Sequence, residues 1–302
     1  MATRKAVHQL TVAQFDKHFP DEEACCAYLV GKRWPKGVRC PRCNAENVTE
    51  LKGNPWHWQC YECAPQTSYR FSHITGTIFE NTNKPLKDWF RVVHLMLTSK
   101  KGMSALQIYR FMGFGSYKTA WGMCHKVRVA LMQDIDQLGG IVEVDETFVG
   151  GLAKNKHKDK RGKGGGTGGV GSGKIPVVGA VKRKGNVIAR VIENVQADTL
   201  VEFVRKAVSH KVSLLCTDQW KGYRKLDKEY PHATIDHSKG QYVIGVIHTQ
   251  TIEGFWSIFK RGVMGTFHKM SAKYMPLYVA EFQFRYNNRD NADIFGAAIS
   301  GC

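Results

Sequence analysis

The chain has 302 residues, enough for two or three domains with a sizeable core. Apolar residues make up 43 %, which excludes a disordered polymer, and no run approaches the length needed to span a bilayer. Lys and Arg number 44 against 26 Asp and Glu, and the resulting +18 favours a polyanionic partner, nucleic acid being the commonest.

The first residues, Met-Ala-Thr-Arg-Lys-Ala-Val-His, lack the apolar h-region of a signal peptide. A soluble intracellular protein is therefore expected, cytoplasmic and nucleoid-associated in a bacterium or nuclear in a eukaryote. In such a reducing compartment nine cysteines should not form a disulfide framework.

Residues 1–34 read as a helical lead-in. Phe15, Phe19, Ala24, Cys25, Tyr28 and Leu29 supply its apolar positions, and Pro20-Asp-Glu-Glu23 makes a helix start. Cys25 and Cys26 are adjacent and read as small buried residues rather than ligands. Residues 35–80 hold Cys40-Pro-Arg-Cys43 and Cys60-Tyr-Glu-Cys63, with sixteen residues between the pairs. Two CxxC knuckles at that spacing predict a closed structural Zn²⁺ site in a zinc ribbon. A redox pair would need one CxxC in a βαβ setting. His57 is read as a packing or surface residue between Trp56 and Trp58. Arg39, Arg42, Lys52 and Arg70 leave the ribbon basic.

Within a DNA-binding region over residues 81–138, residues 84–132 predict three helices. Pro85 is placed at the first position of one whose stripe is Leu86, Trp89, Phe90, Val93 and Leu97. Ser104-Ala-Leu-Gln107 reads as a capping box opening the second. Gly113-Phe-Gly-Ser116 makes a turn, and Tyr117 to Leu131 form a third helix bearing Lys118, Lys126 and Arg128. A short helix, a glycine turn and a basic helix make a helix-turn-helix pattern, although any helical bundle can share it.

Residues 139–295 change character. Ile141 to Val149 alternate as a strand, with Val142, Val144 and Glu146 on one face and Glu143, Asp145 and Thr147 on the other. A carboxylate on a buried strand is costly unless something pairs with it, and a metal ion would do so. Residues 153–174 contain eight glycines, seven Lys or Arg and one acid, a composition for a mobile basic loop rather than a core. Contact with nucleic-acid phosphates and a passive insert both suit it. Pro176–Val181 and Asn186–Ile192 predict a hairpin about Lys182-Arg-Lys-Gly185, followed by a helix over Asp198–Ser209 and a strand from Val212 to Asp218. Cys124 and Cys216 are expected to be buried packing residues. In His248 to Lys260, Ile252, Phe255, Trp256 and Phe259 form a helical apolar stripe, and Glu253 and Lys260 share a second face.

Asp145 and Asp218 lie on apolar strands, and Glu253 opens a helix. Three hard oxygen donors with no His or Cys among them suit Mg²⁺, and a pair of ions about 4 Å apart suits phosphodiester chemistry.

With these landmarks the chain resembles the DDE insertion-sequence transposases with an N-terminal zinc ribbon, bacterial relatives of the eukaryotic Merlin elements. The resemblance runs nearly end to end. It includes Arg33-Trp-Pro35, Thr75-Gly-Thr-Ile-Phe-Glu80, Lys101-Gly-Met-Ser-Ala-Leu106, Thr119-Ala-Trp121 and Val144-Asp-Glu-Thr-Phe-Val-Gly-Gly151. It continues through Thr217-Asp-Gln-Trp-Lys-Gly-Tyr223, Thr251-Ile-Glu-Gly-Phe-Trp-Ser257, Gly265-Thr-Phe-His268 and Glu281-Phe-Gln-Phe-Arg-Tyr-Asn287.

The resemblance implies an α/β, RNase H-like mixed-sheet catalytic domain behind the zinc ribbon and helix-turn-helix. Asp145, Asp218 and Glu253 would be the triad on Mg²⁺, with Mn²⁺ able to substitute, and Lys260 the helix lysine. Some relatives have Asn or His at the third position; this chain has Glu. The implied reaction is hydrolysis at element ends followed by strand transfer into target DNA. Double-stranded DNA, as terminal inverted repeats and target, is the expected partner, and paired ends imply a homodimer or higher oligomer. His248, Trp256, Arg261 and His268 join Lys118, Lys126 and Arg128 as expected DNA contacts, with packing the competing role for His248, Trp256 and His268. Glu146 is expected to be structural or to support the triad. The rival functions are a catalytically inactive DNA-binding regulator and a nuclease without strand transfer.

Overall fold

The computed structural model describes residues 10–63, 69–150, 174–218, 221–235, 248–268 and 270–302. The expected loop over 153–174 lies outside them apart from Lys174. In chain order the elements begin with α1 (Val12–His18), α2 (Glu22–Arg33), β1 (Val48–Glu50), β2 (His57–Cys60) and β3 (Tyr69–Ser72). Next come α3 (Leu86–Thr98), α4 (Ala105–Met112), α5 (Tyr117–Ala130), β4 (Ile141–Val149), β5 (Ile175–Lys182) and β6 (Val187–Val191). The remainder is α6 (Ala197–Ala207), β7 (Leu214–Asp218), a 3-10 helix (Lys221–Lys228), β8 (His232–Ile235), α7 (Gln250–Gly262), a π-helical turn (Val263–Phe267), a short 3-10 turn (Ala272–Tyr274), α8 (Met275–Asn287) and α9 (Ile294–Ser300). The chain divides into an N-terminal unit, which also takes Arg289–Cys302, and a central unit over Met132–Asn288. The division expected from sequence, with 139–295 as one stretch, does not anticipate this return of the C-terminus.

In the N-terminal unit the lead-in is two helices, each started by a side chain. Thr11 and Gln14 form a full capping box for α1, and Asp21 accepts from Ala24 N at 2.9 Å to start α2. Phe15, Phe19, Phe90 and Phe295 pack at tilted and edge-on angles with ring centroids 5.1–6.2 Å apart. Helix α9 thereby closes a core begun by α1, α2 and α3.

Pro85 stands one place outside α3, at its N-cap, and makes no side-chain cap bond. Glu22 performs that task from α2, accepting from Leu86 N at 2.5 Å and Lys87 N at 3.0 Å. A carboxylate at that end also suits the helix dipole. All five residues of the expected α3 stripe are buried. Ser104 accepts from Gln107 N at 3.2 Å to start α4, the first half of the expected box. Gly113 ends α4 with φ 62°, a left-handed C-cap that glycine adopts without strain, and Ser116 caps α5.

Three antiparallel strands, β1-β2-β3, form the ribbon. Its small core is Trp58 and Phe71, stacked at 5.9 Å, with Trp34 edge-on to Trp58 at 5.7 Å. Arg33 ties the start of the ribbon to its end by donating to the carbonyls of His73, at 2.8 Å, and Thr75. This latch gives a structural reason for arginine in Arg33-Trp-Pro35.

The central unit is built on a five-stranded mixed sheet in the order β6-β5-β4-β7-β8. Strands β4, β5 and β6 pair antiparallel, whereas β4–β7 and β7–β8 are parallel. The expected hairpin is β5–β6. Strand β8 and the 3-10 helix were not anticipated, being short and without a clear apolar period. Each face of the sheet carries a core. Val142 and Val144 pack with Leu200 and Val204 of α6 and with Tyr223 and Leu226 on one side. Val177 and Val181 pack with Ile252, Trp256 and Phe259 of α7 and with Val279 and Phe282 of α8 on the other. The outer edge of β6 is closed by amide side chains one helical turn apart on α8. Gln283 accepts from Ala189 N at 2.8 Å, while Asn287 accepts from Val187 N at 2.7 Å and donates to Val187 O at 3.0 Å. Side chains thus stand in for a missing neighbouring strand. Among the described residues no helix is long and apolar enough to cross a membrane.

Candidate active site

The sheet brings the two expected aspartates side by side. Parallel pairing of β4 with β7 runs through Ile141↔Leu214, Val142↔Leu215 and Glu143↔Cys216. The pairing ends there; two residues further along each strand, on the same face, come Asp145 and Asp218, near enough for the Asp218 charge to raise the Asp145 carboxyl. That face is covered by α7, which carries Glu253 in its first turn. Lys260 lies seven residues on, about 10 Å along the helix axis on the same exposed side.

Helix α7 reaches this position because Gly179 on β5 lies opposite Asp145. A Cβ at Gly179 would stand 2.8 Å from Trp256 Cζ2 and 3.2 Å from Ile252 Cδ1. The missing side chain is the space that the indole fills. Trp256 is 3 % exposed and packs in the core beneath the site. This corrects its expected role as a DNA contact: the helical stripe that made it a packing residue buries its ring against the sheet.

The carboxylates act on one another. Burial, then the charges of Glu146, Asp218 and Glu253, push the Asp145 carboxyl up to about 7. Burial and Asp218 push Glu146 up to about 7 as well, against the opposing effect of a hydrogen bond from Tyr223 Oη at 2.7 Å. Tyr223 is fully buried, so Glu146 is held on the opposite face of β4, in keeping with a supporting role. Glu253 accepts from Thr249 Oγ1 at 2.9 Å. Burial first, and the neighbouring acids second, make Asp145 resist ionising, and the acids' hard oxygen donors, although not gathered as tightly as the cysteines of the ribbon, are of the kind a divalent cation fits.

Glu143, on the Asp145 face, is fully buried yet needs no cation. It pairs with Arg183 at 2.6 Å and accepts from Thr251 N, Thr251 Oγ1 and Ile252 N. Sequence reasoning noted the cost of a buried strand carboxylate but missed this partner set, because Arg183 and Thr251 are remote in sequence. His248 lies beside the same group, its Nδ1 3.2 Å from Glu143 Oε1 and its carbonyl accepting from Arg183 at 2.9 Å.

The other expected contacts divide by burial. Lys118, Lys126, Arg261 and His268 are exposed. His268 has φ 56° just after the π-helical turn at Val263–Phe267, and Arg261 donates to Ser257 O at 3.1 Å. Arg128 is 1 % exposed and lies within the core side of α5, which corrects its expected role as a phosphate contact. A basic residue on a helix is read from sequence as solvated, but the helix face decides.

In the ribbon all four expected cysteines converge. Among the described residues they are the one group of three or more ligand atoms lying within 4.8 Å of one another. Sγ of Cys40 is 3.7 Å from that of Cys63, and Cys43 is 3.6 Å from Cys60. A tetrahedron with Zn–S bonds of about 2.3 Å has edges of about 3.8 Å, so the thiols stand at a zinc ion's spacing. Asn44, at φ 61°, turns the first knuckle so that its N–H reaches Cys40 O at 2.8 Å. Backbone N–H groups of Cys63 and Glu62 lower the Cys60 thiol to about 7, toward the thiolate that a metal binds. His57 is not part of the group; its Nδ1 is 3.0 Å from Pro55 O.

The cysteine-quartet ribbon and the mixed-sheet α/β unit with acids on adjacent strands each fall within a transposase family model. The ISXO2-like transposase domain matches residues 137–287 and a transposase zinc-ribbon domain matches residues 20–66, so the chain belongs to the ISXO2-like transposase family. It is similar to an uncharacterized protein in transposable element ISH50 of Halobacterium salinarum, 26 % identical over 276 residues that cover 89 % of this chain and 92 % of the relative. No solved structure matches it.

Proposed function

We propose that this transposase cuts DNA at element ends and joins the freed 3′ ends to target DNA, with Asp145, Asp218 and Glu253 as its divalent-cation triad. The observation that carries the reading is that Asp145 and Asp218 stand on adjacent parallel strands under the helix bearing Glu253, close enough for both other acids to raise the Asp145 carboxyl. When bound there, Mg²⁺ or Mn²⁺ would polarise the scissile phosphate and make the attacking water more acidic. The chain's own part is to hold three oxygen donors on rigid elements, exclude water beneath them with Trp256, and aim Lys260 at a phosphate further along the strand. Thr249 orients Glu253, and Tyr223 keeps Glu146 turned to the other face.

The mixed sheet with acids on β4 and β7 supports an RNase H-like catalytic unit. The α4–turn–α5 pair, with Lys118 and Lys126 exposed, supports a helix-turn-helix that grips duplex DNA. The cysteine quartet would hold Zn²⁺ to stabilise the ribbon. Pairing of two element ends would need at least a dimer.

The test uses a labelled duplex carrying the element end, with Mg²⁺ or chelator. Metal-dependent cleavage is expected in the wild type and its loss in Asp145→Ala, Asp218→Ala and Glu253→Ala, each of which still binds the duplex. Cleavage retained by any of the three removes that residue from the triad. Tight binding without cleavage under any divalent metal would instead favour a DNA-binding regulator.

A further inference from the structure

Helix α7 does not cap itself. Its N-cap residue, Thr249, makes no side-chain cap bond; its hydroxyl goes to Glu253 instead, at 2.9 Å. Two of the N–H groups left over are taken by a residue more than a hundred positions away. Glu143 Oε2 accepts from Thr251 N at 2.7 Å and Ile252 N at 3.1 Å, and Oε1 accepts from Thr251 Oγ1 at 2.9 Å. Arg183 Nε at 2.6 Å balances its charge, and the same guanidinium binds His248 O at 2.9 Å, fixing the residue that leads into the helix. The carboxylate is fully buried, so these bonds are not shared with solvent.

The placement of these bonds matters more than their number. Glu143 is two residues before Asp145 on the same face of β4, and Ile252 is one residue before Glu253. One buried side chain therefore joins the strand of one acid to the turn of another.

We propose that Glu143 is the positioning residue of the cation site: it sets the first turn of α7, and with it Glu253, against the strand that carries Asp145. The inference rests on the reading of Asp145, Asp218 and Glu253 as the triad. Both Glu143 oxygens are taken up by α7 and Arg183, so it is placed as a support and not as a ligand. It acts through the helix, as a supporting partner acts on a metal ligand.

The test is Mn²⁺ binding to the zinc-loaded full chain without DNA, followed by loss of the free-ion EPR signal. Wild type, Glu143→Gln and Glu253→Ala are compared, with helical circular dichroism to establish folding. Gln keeps the shape and one carbonyl acceptor but turns an N–H₂ group toward Arg183 and His248. Glu143→Gln is expected to weaken Mn²⁺ binding about tenfold, the usual range for removal of a ligand's supporting partner being about 10–100-fold. A merely structural role would lower stability and leave the affinity of the folded protein unchanged.

Wild-type affinity in folded Glu143→Gln, with weakened binding in Glu253→Ala, overturns the positioning role and leaves the triad standing. Wild-type affinity in Glu253→Ala overturns the triad and this inference with it. If Glu143→Gln does not fold, Thr251→Val decides, since it removes one bond to the carboxylate and keeps the backbone N–H. A few-fold loss of affinity supports the role, and no loss overturns it.

Discussion

Gly179→Ala tests the packing that brings α7 to the sheet. The added methyl would lie 2.8 and 3.0 Å from two ring carbons of Trp256 and 3.2 Å from Ile252 Cδ1, closer than carbon atoms pack. Both neighbours are buried, so neither ring nor methyl can swing into solvent. Overpacking of this kind costs about 1–3 kcal/mol. The reduced freedom of Ala in the unfolded chain offsets up to about 1 kcal/mol. With a urea m-value of about 2 kcal/mol/M, a net loss of about 1–2 kcal/mol lowers the unfolding midpoint by about 0.5–1 M. The assay is urea unfolding of the zinc-loaded protein, with Trp256→Leu and the double variant completing a cycle. If the methyl and indole compete for one space, the double variant should be less destabilised than the sum of the singles by at least about 1 kcal/mol. A midpoint equal to wild type, or singles that add within about 0.5 kcal/mol, would refute the argument that Gly179 is the seat of the indole.

Two further outcomes concern the N-terminal unit. His94 is buried, and burial lowers its pKa from 6.5, partly opposed by its hydrogen bond to Leu10 O at 2.6 Å. The unfolded chain then binds more protons than the folded one as pH falls below about 6.5, so stability should fall with acidification through that window. His94→Phe keeps the stacking on Phe15, whose ring is 4.9 Å away, and should flatten this pH dependence in thermal unfolding; an unchanged slope would assign the acid sensitivity to other groups. Removing metal with a chelator should abolish the near-ultraviolet dichroism of the Trp34, Trp58 and Phe71 cluster, and Cys60→Ser should do the same, because this core is built around the thiols. An unchanged aromatic signal would show a ribbon that folds without metal.

What the sequence by itself determined was everything written in short-range spacing. The CxxC pairs, the stripe of α7, the alternation of β4, the hairpin β5–β6 and the starts of most helices all follow from contacts within a few residues. Asp145 and Asp218 stood out for a related reason: a charge on an apolar strand is out of place until it has a partner, whereas Glu253, an acid in the first turn of a helix, drew notice only beside them and through the resemblance. What tertiary structure decided was which partner each group finds. Nothing local shows that Glu143 is satisfied by α7 and Arg183 while Asp145, two residues on, is left among other acids. Nor does spacing tell which lysine or arginine of α5 faces outward, so Arg128 and Lys126 read alike until the helix is packed. Gly179 reads as an ordinary weak point in a strand until Trp256 rests on it, and Gln283 and Asn287 read as polar helix residues until β6 presents its open edge. Each of these is a contact between residues tens to more than a hundred positions apart, and a buried polar or steric requirement is met only where the folded chain brings the two sides together.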